Sequence, residues 1–340
     1  MSPTIPQKAR TMLAERRDLS DLYNHIREEL DRVEESLKIL SSSPNPLISE
    51  INRYLFQKKG KRIRPALLIL CSKLLRYRGD DHIFMAALIE FIHTASLIHD
   101  DIIDNADRRR GRDSVHARWG PNISVLLGDY LYIKTIGLSL ESDYPGVVRI
   151  LTDVSTRMID GELTEYALSG HLDTEEPDYL EVINQKTASL FAAACQVGAV
   201  LGEATPEQER LLVDYGRSLG LTFQVIDDLL DFQGDEDELG KPVLSDLSEG
   251  RITLPLIYTL RNDRPANRRR LRTLMQKKTQ SRESRKEILD IIKGNGALDY
   301  TYRKAEEFSL QARGFISLFP DSAHREALSL LAEFVLNRTK

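Results

Sequence analysis

Apolar positions recur along most of this chain at helical spacing. From Leu19 the series Leu19, Leu22, Ile26, Leu30, Val33, Leu37 and Leu40 puts one apolar stripe on one side of a helix. The Ser- and Pro-rich stretch over 41–46 ends it. The same reading predicts helices over 47–58, 65–77, 82–104, 121–141, 146–168, 178–202, 206–232, 252–261, 266–294, 297–317 and 321–338. Alternating β-branched runs are missing, so no strand set is expected. The pattern predicts an all-α protein folded as a single large helix bundle over 19–340, preceded by a polar tail over 1–18.

Two of these helices end in acid. The run from Phe91 to Ile103 carries Asp100 and Asp101 and is followed by Asp104; the run from Gly220 to Ile226 leads into Asp227, Asp228 and Asp231. Residues four apart share a helix face, so Asp100 and Asp104 point the same way while Asp101 sits about 100° around. Two acidic helix ends facing each other across a bundle repel unless cations lie between them. Hard oxygen donors with no His or Cys in the set suit Mg²⁺. His93 lies two turns before Asp100 on nearly the same face.

Basic groups accompany the acid. Gly60-Lys61-Arg62-Ile63-Arg64-Pro65 places three cations at a helix start, where they oppose the helix dipole and call for a compensating charge such as a bound diphosphate. Arg108, Arg109, Arg110 and Gly111 follow the first aspartates, and guanidinium groups suit phosphate oxygens. The loop over 234–251 is long for a helix connection; Lys241 and Arg251 are its candidate phosphate ligands. Arg268 to Arg270 and Lys277-Lys278 read as a solvated basic face.

Composition narrows the class. At 340 residues, 41% hydrophobic and 29% charged, the chain has the material for a large buried core. A net charge of −5 weighs against a general nucleic-acid binder. No run of about 18 consecutive apolar residues is present and the first residues lack an apolar signal core, so the expectation is a cytoplasmic protein with no membrane segment. Cys71 and Cys195 are too few for a disulfide framework and read as buried free thiols.

With both aspartate motifs, the GKRIRP turn, the RRG after the first motif and the GK and GRITLP segments in order, the sequence resembles the trans-isoprenyl diphosphate synthases (polyprenyl synthetases), from about residue 20 to its end. The resemblance implies the isoprenoid-synthase bundle with a central active-site cavity, and a homodimer. It implies that Asp100, Asp101, Asp104, Asp227, Asp228 and Asp231 hold Mg²⁺ against the diphosphate of an allylic substrate. Arg109, Lys186, Lys241 and Arg251 would neutralise that diphosphate. Lys61, Arg64, His93 and Arg110 would form the pocket for isopentenyl diphosphate, and Thr187 and Gln224 would join Lys186 at the reacting centre. Arg251 departs from the family, which usually has Lys there.

The resemblance also suggests a product length. Short-chain members commonly carry an aromatic residue four or five positions before the first aspartate; here those positions are Ser96 and Ala95. On helical spacing the next barriers are Phe91, Ile92 and Leu88. A helical turn rises roughly 5.4 Å, comparable with an extended isoprene unit, so the expected product is long, roughly six to ten units. A shorter-chain synthase, a class I terpene cyclase and a regulatory synthase subunit are the competing readings.

Overall fold

The computed structural model describes residues 19–109, 111–233, 244–275 and 281–338, and these are almost entirely helical. The main helices are Arg27–Leu40 (α1), Pro46–Phe56 (α2), Ile63–Leu74 (α3), Asp81–Ile103 (α4), Pro121–Leu140 (α5), Pro145–Leu168 (α6) and Glu176–Ile183 (α7). They continue as Ser189–Leu201 (α8), Pro206–Asp231 (α9), Leu254–Asn262 (α10), Pro265–Met275 (α11), Arg282–Gly294 (α12), Ala297–Ser317 (α13) and Ala323–Asn337 (α14). The polar tail expected over 1–18 lies outside the described residues.

Helix α4 is buried from Met85 through Ile92 without interruption, as a helix apolar on every side must be. It packs on α1, α3 and α5, while α9 packs on α8 and α13. Two glycines set the spacing near the cavity. A Cβ on Gly220 would lie 2.5 Å from Ala188 Cα, and one on Gly161 would lie 2.6 Å from the Lys186 backbone nitrogen. Only a residue without a side chain lets α6 and α9 approach the segment that carries Lys186 so closely.

Three predicted helices are built differently. The stripe from Leu19 to Leu40 is broken: a short helix over Leu19–Leu22 and a 3-10 turn over Asn24–Ile26 precede α1, because Tyr23 and Ile26 both turn into the core. The helix expected over 178–202 contains a π-helical stretch at Asn184–Ala188 between α7 and α8. The segment 266–294 holds two helices, the second capped by Ser281, whose Oγ accepts from Ser284 N at 3.3 Å. A ladder of two-residue strands, β1 (Arg108–Arg109) and β2 (Arg112–Asp113), turns through Gly111 at φ +77°.

By length and composition α4 and α5 are each apolar enough to cross a membrane, although neither is an uninterrupted apolar run. Their most apolar windows are 67% and 33% buried inside the protein. Thus α4 is a core helix, whereas α5 exposes Leu126, Ile133 and Leu140. Cys71 and Cys195 are free and fully buried, as expected.

Candidate active site

A cavity of about 520 Å³ lies between α3, α4, α5, α6, α9 and the π-helical stretch. Asp100 and Asp104 enter it from α4 and Asp227 enters from α9. Arg64, His93, Arg109, Lys186, Thr187, Gln224 and Arg251 also line it. The wide turn of the π-helical stretch, at the point where α6 comes closest, presents Lys186 and Thr187 together to this space.

The other three aspartates are turned elsewhere. Asp101 is buried and accepts from Arg109 Nε at 2.6 Å, the strand ladder having folded Arg109 back over the helix end. Asp228 is buried and accepts from Tyr179 Oη at 2.6 Å and Gln224 Nε2 at 2.8 Å. Asp231 caps the short helix Ser245–Ser248, accepting from the Ser245 hydroxyl at 2.7 Å and from the Ser245 and Asp246 amides. These three therefore do not line the main cavity. Helical spacing alone placed Asp227 and Asp231 on one face, but the returning chain claims the second of them.

Burial sets the chemistry of the carboxylates that remain. It pushes Asp100 up to about 7, against the pull of Lys186. It also raises Asp227, against the opposing charge of Arg338. Asp228 is pushed up to about 7 by burial, although hydrogen bonds from Tyr179 and Gln224 favour its charged form. Among the described residues no three His, Cys, Asp or Glu side chains converge into a closed metal chelate. The all-oxygen set of Asp100, Asp104 and Asp227 instead fits a hard cation that takes one or two carboxylates and completes its shell with water and phosphate oxygens.

The cations are engaged with acids. Lys186 Nζ lies 2.5 Å from both Glu162 and Glu165, two residues of α6 that line the cavity. Their trace in the sequence is an i,i+3 acidic pair after Gly161, which looks like any solvated helix face until Lys186 packs against it. Arg64 Nη1 lies 3.2 Å from His93 Nε2 and its guanidinium stacks 4.5 Å from the Phe191 ring centre. Lys61 is exposed and does not line the cavity. Arg62 is a correction: its charge is compensated by protein, with Nε 2.6 Å from Glu34 and Nη1 bonded to Glu90, all three side chains under a tenth exposed. Lys241 and Arg110 lie outside the described residues.

The cavity wall also differs from the helical projection. Ser96 lines it, opposite Tyr132, Met158 and Ile159. Ala95 does not: it packs with Ile51, Leu127 and Leu131. Phe91, Ile92 and Leu88 are fully buried in the main core, with Phe91 against Phe56. One residue of helix turns the wall by about 100°, so Ser96 shares the face of Asp100 and Ala95 does not.

The fold agrees with known proteins. The polyprenyl synthetase family matches residues 45–292. The chain belongs to that family. It is therefore an enzyme, a prenyltransferase. It is 37% identical to the octaprenyl diphosphate synthase of Escherichia coli (strain K12) over 294 residues, 86% of this chain and 91% of that one. It is 34% identical to a short chain isoprenyl diphosphate synthase of Methanothermobacter thermautotrophicus, across 94% of this chain and 98% of that one. A crystal structure of the polyprenyl synthase of Caulobacter crescentus, complexed with calcium and isoprenyl diphosphate, superposes with a TM-score of 0.90 at 33% identity. That match covers 95% of this chain and 98% of the other.

Proposed function

We propose that this synthase condenses isopentenyl diphosphate with an allylic diphosphate, repeatedly, to give a long all-trans polyprenyl diphosphate, with Mg²⁺ as its cation. The observation that carries the reading is the convergence of Asp100, Asp104 and Asp227 with Arg64, Arg109, Lys186 and Arg251 in one cavity that also presents an apolar side formed by Met158, Ile159, Leu163 and Phe223.

Asp100, Asp104 and Asp227 would hold Mg²⁺, which stabilises charge on the departing pyrophosphate. Arg109, Lys186 and Arg251 would add fixed positive charge around the same diphosphate. Arg64 and His93, which line the cavity, would hold isopentenyl diphosphate. The Thr187 hydroxyl donates its proton to Gln224 Oε1 at 2.8 Å, and Gln224 Nε2 is tied to Asp228. Thr187 thus keeps an oxygen lone pair for a developing allylic cation. When the allylic C–O bond breaks, the double bond of isopentenyl diphosphate attacks the cation and a proton leaves to the released pyrophosphate. Buried Met158 and, beside it, Phe223 would give the cation an apolar neighbourhood in which water is disfavoured.

Length is supported by the wall itself. Ser96 leaves the α4 side open, and Ile159 and Leu163 line the cavity while being 50% and 62% exposed, which gives a growing chain an apolar way out. Tyr166 on α6 and Leu126, Ile133 and Leu140 on α5 leave apolar surface for a second copy. A homodimer is therefore part of the proposal. Two free thiols fit a reducing compartment, the cytoplasm.

The test is pyrophosphate release by the purified chain. Farnesyl diphosphate plus isopentenyl diphosphate should release it only with Mg²⁺, and a chelator should stop it. Release at an equal rate without isopentenyl diphosphate would mark a cyclase instead.

A further inference from the structure

Arg338 follows α14 and belongs to none of the sequence motifs. Its side chain is 5% exposed. Nη2 lies 2.6 Å from Asp227 Oδ1 and 2.5 Å from the Phe223 carbonyl oxygen, and the guanidinium sits 3.7 Å from the Phe223 ring centre. Asp227 and Phe223 both line the cavity.

We propose that Arg338 is a displaceable internal counter-ion: it holds one oxygen of Asp227 in the metal-free protein, and a divalent cation arriving at that 42% exposed carboxylate competes with it. The proposal rests on Asp227 being a metal ligand, as in the function proposed above.

Three features of the contact support displacement. Arg338 reaches Asp227 through one carboxylate oxygen, whereas Arg62 grips both oxygens of Glu34 and also bonds Glu90. A two-point fork is geometrically fixed and a one-point contact is not. Arg338 Nε is buried without a hydrogen-bond partner among the described residues, so this pose leaves one donor unsatisfied. Finally, Arg338 has extended backbone (φ −65°, ψ 145°) just beyond the last turn of α14, and it can swing without breaking a helical hydrogen bond. A metal ion and a guanidinium on the same carboxylate repel each other, so each weakens the other's binding.

The probe is Mn²⁺ alone, titrated into the full chain with free Mn²⁺ read by electron paramagnetic resonance. R338Q should bind Mn²⁺ at least about fivefold more tightly, the factor expected for removing one like charge at contact distance. R338K, which keeps the charge, should stay near wild type. In a D227N background, R338Q should change nothing. A residue that merely braces the fold predicts the opposite sign, so unchanged or weaker Mn²⁺ binding by R338Q overturns the proposal. In the wild type labelled with [¹⁵N]arginine, Mg²⁺ should move the Arg338 Nε–H resonance toward its position in D227N. A resonance that stays put overturns the proposal even if R338Q fails to fold. Wild-type protein that binds no Mn²⁺ would overturn the metal reading of the cavity as well, whereas binding indifferent to R338Q overturns this inference alone.

Discussion

Arg251 Nη2 lies 2.7 Å from Asp104 Oδ2, an ion pair between residues 147 positions apart. It joins the end of the first aspartate motif to the segment that follows the second. The same guanidinium also contacts Asp246 at 3.4 Å and bonds Glu249. Its planar fork holds these contacts in fixed directions, which the freely rotating point charge of an ammonium does not.

Arg251→Lys should therefore keep the charge but loosen the junction. Steady-state kinetics should show kcat/KM down roughly tenfold, the equivalent of one charge-assisted hydrogen bond, with the far-ultraviolet circular dichroism spectrum unchanged. Wild-type kinetics would show that the fork is not needed.

Metal-free stability should fall as pH rises. Asp100 and Asp228 are both pushed up to about 7 from an ordinary value of 3.8. Between those values the folded state holds more protons than the unfolded state, so unfolding free energy declines with pH and levels off above about 7. Mg²⁺ binding needs the carboxylates ionised, so its stabilising effect should grow over the same window. Thermal melts from pH 5 to 8, with and without Mg²⁺, check both signs; a metal-free melting temperature that rises steadily from pH 5 to 7 contradicts the assignment.

Asp100→Asn should abolish turnover and, at pH 8 without metal, raise the melting temperature by roughly a few degrees. The neutral amide removes the cost of burying an ionised carboxylate. At pH 5, where Asp100 is protonated, the gain should vanish. Asp104→Asn should show no such gain, because it strips a partner from Arg251. Differential scanning calorimetry of both variants makes the comparison.

Product length should answer to Ser96 and Tyr132, which line the cavity, rather than to Ala95. Tyr132→Ala should lengthen the main product and Ser96→Phe should shorten it. Ala95→Phe should act through the packing of α4 on α2 and α5, costing stability of roughly 1–3 kcal/mol as an overpacked core residue. Mass analysis of products and a urea melt separate the two kinds of effect. A shortened product from a fully stable Ala95→Phe variant would restore the helical-projection argument.

How far the sequence carries is visible in single residues. Asp100 and Asp104 were legible because a 3.6-residue period alone puts them on one face of a helix whose apolar run, buried from Met85 through Ile92, marks it as part of the core. Asp231 has the same spacing from Asp227, yet its role depends on Ser245, 14 positions further along the chain. Arg62 looked like a phosphate ligand because Glu34 and Glu90, each 28 residues away, are invisible as partners until α1 and α4 pack. The π-helical stretch at Asn184–Ala188 shifts the phase of the apolar stripe within only five residues, too short a span for a periodicity reading to resolve. Arg338 is the extreme case: Asp227 lies 111 positions before it, and only the closure of α14 onto α9 brings them together.

The most direct test of the account is the mass of what the purified chain makes from farnesyl diphosphate, isopentenyl diphosphate and Mg²⁺. Chromatography with mass detection should find an all-trans polyprenyl diphosphate of roughly six to ten isoprene units, set by a wall along a helix that rises about 5.4 Å per turn. A product that stops at farnesyl or geranylgeranyl diphosphate, or no condensation product at all, would contradict it.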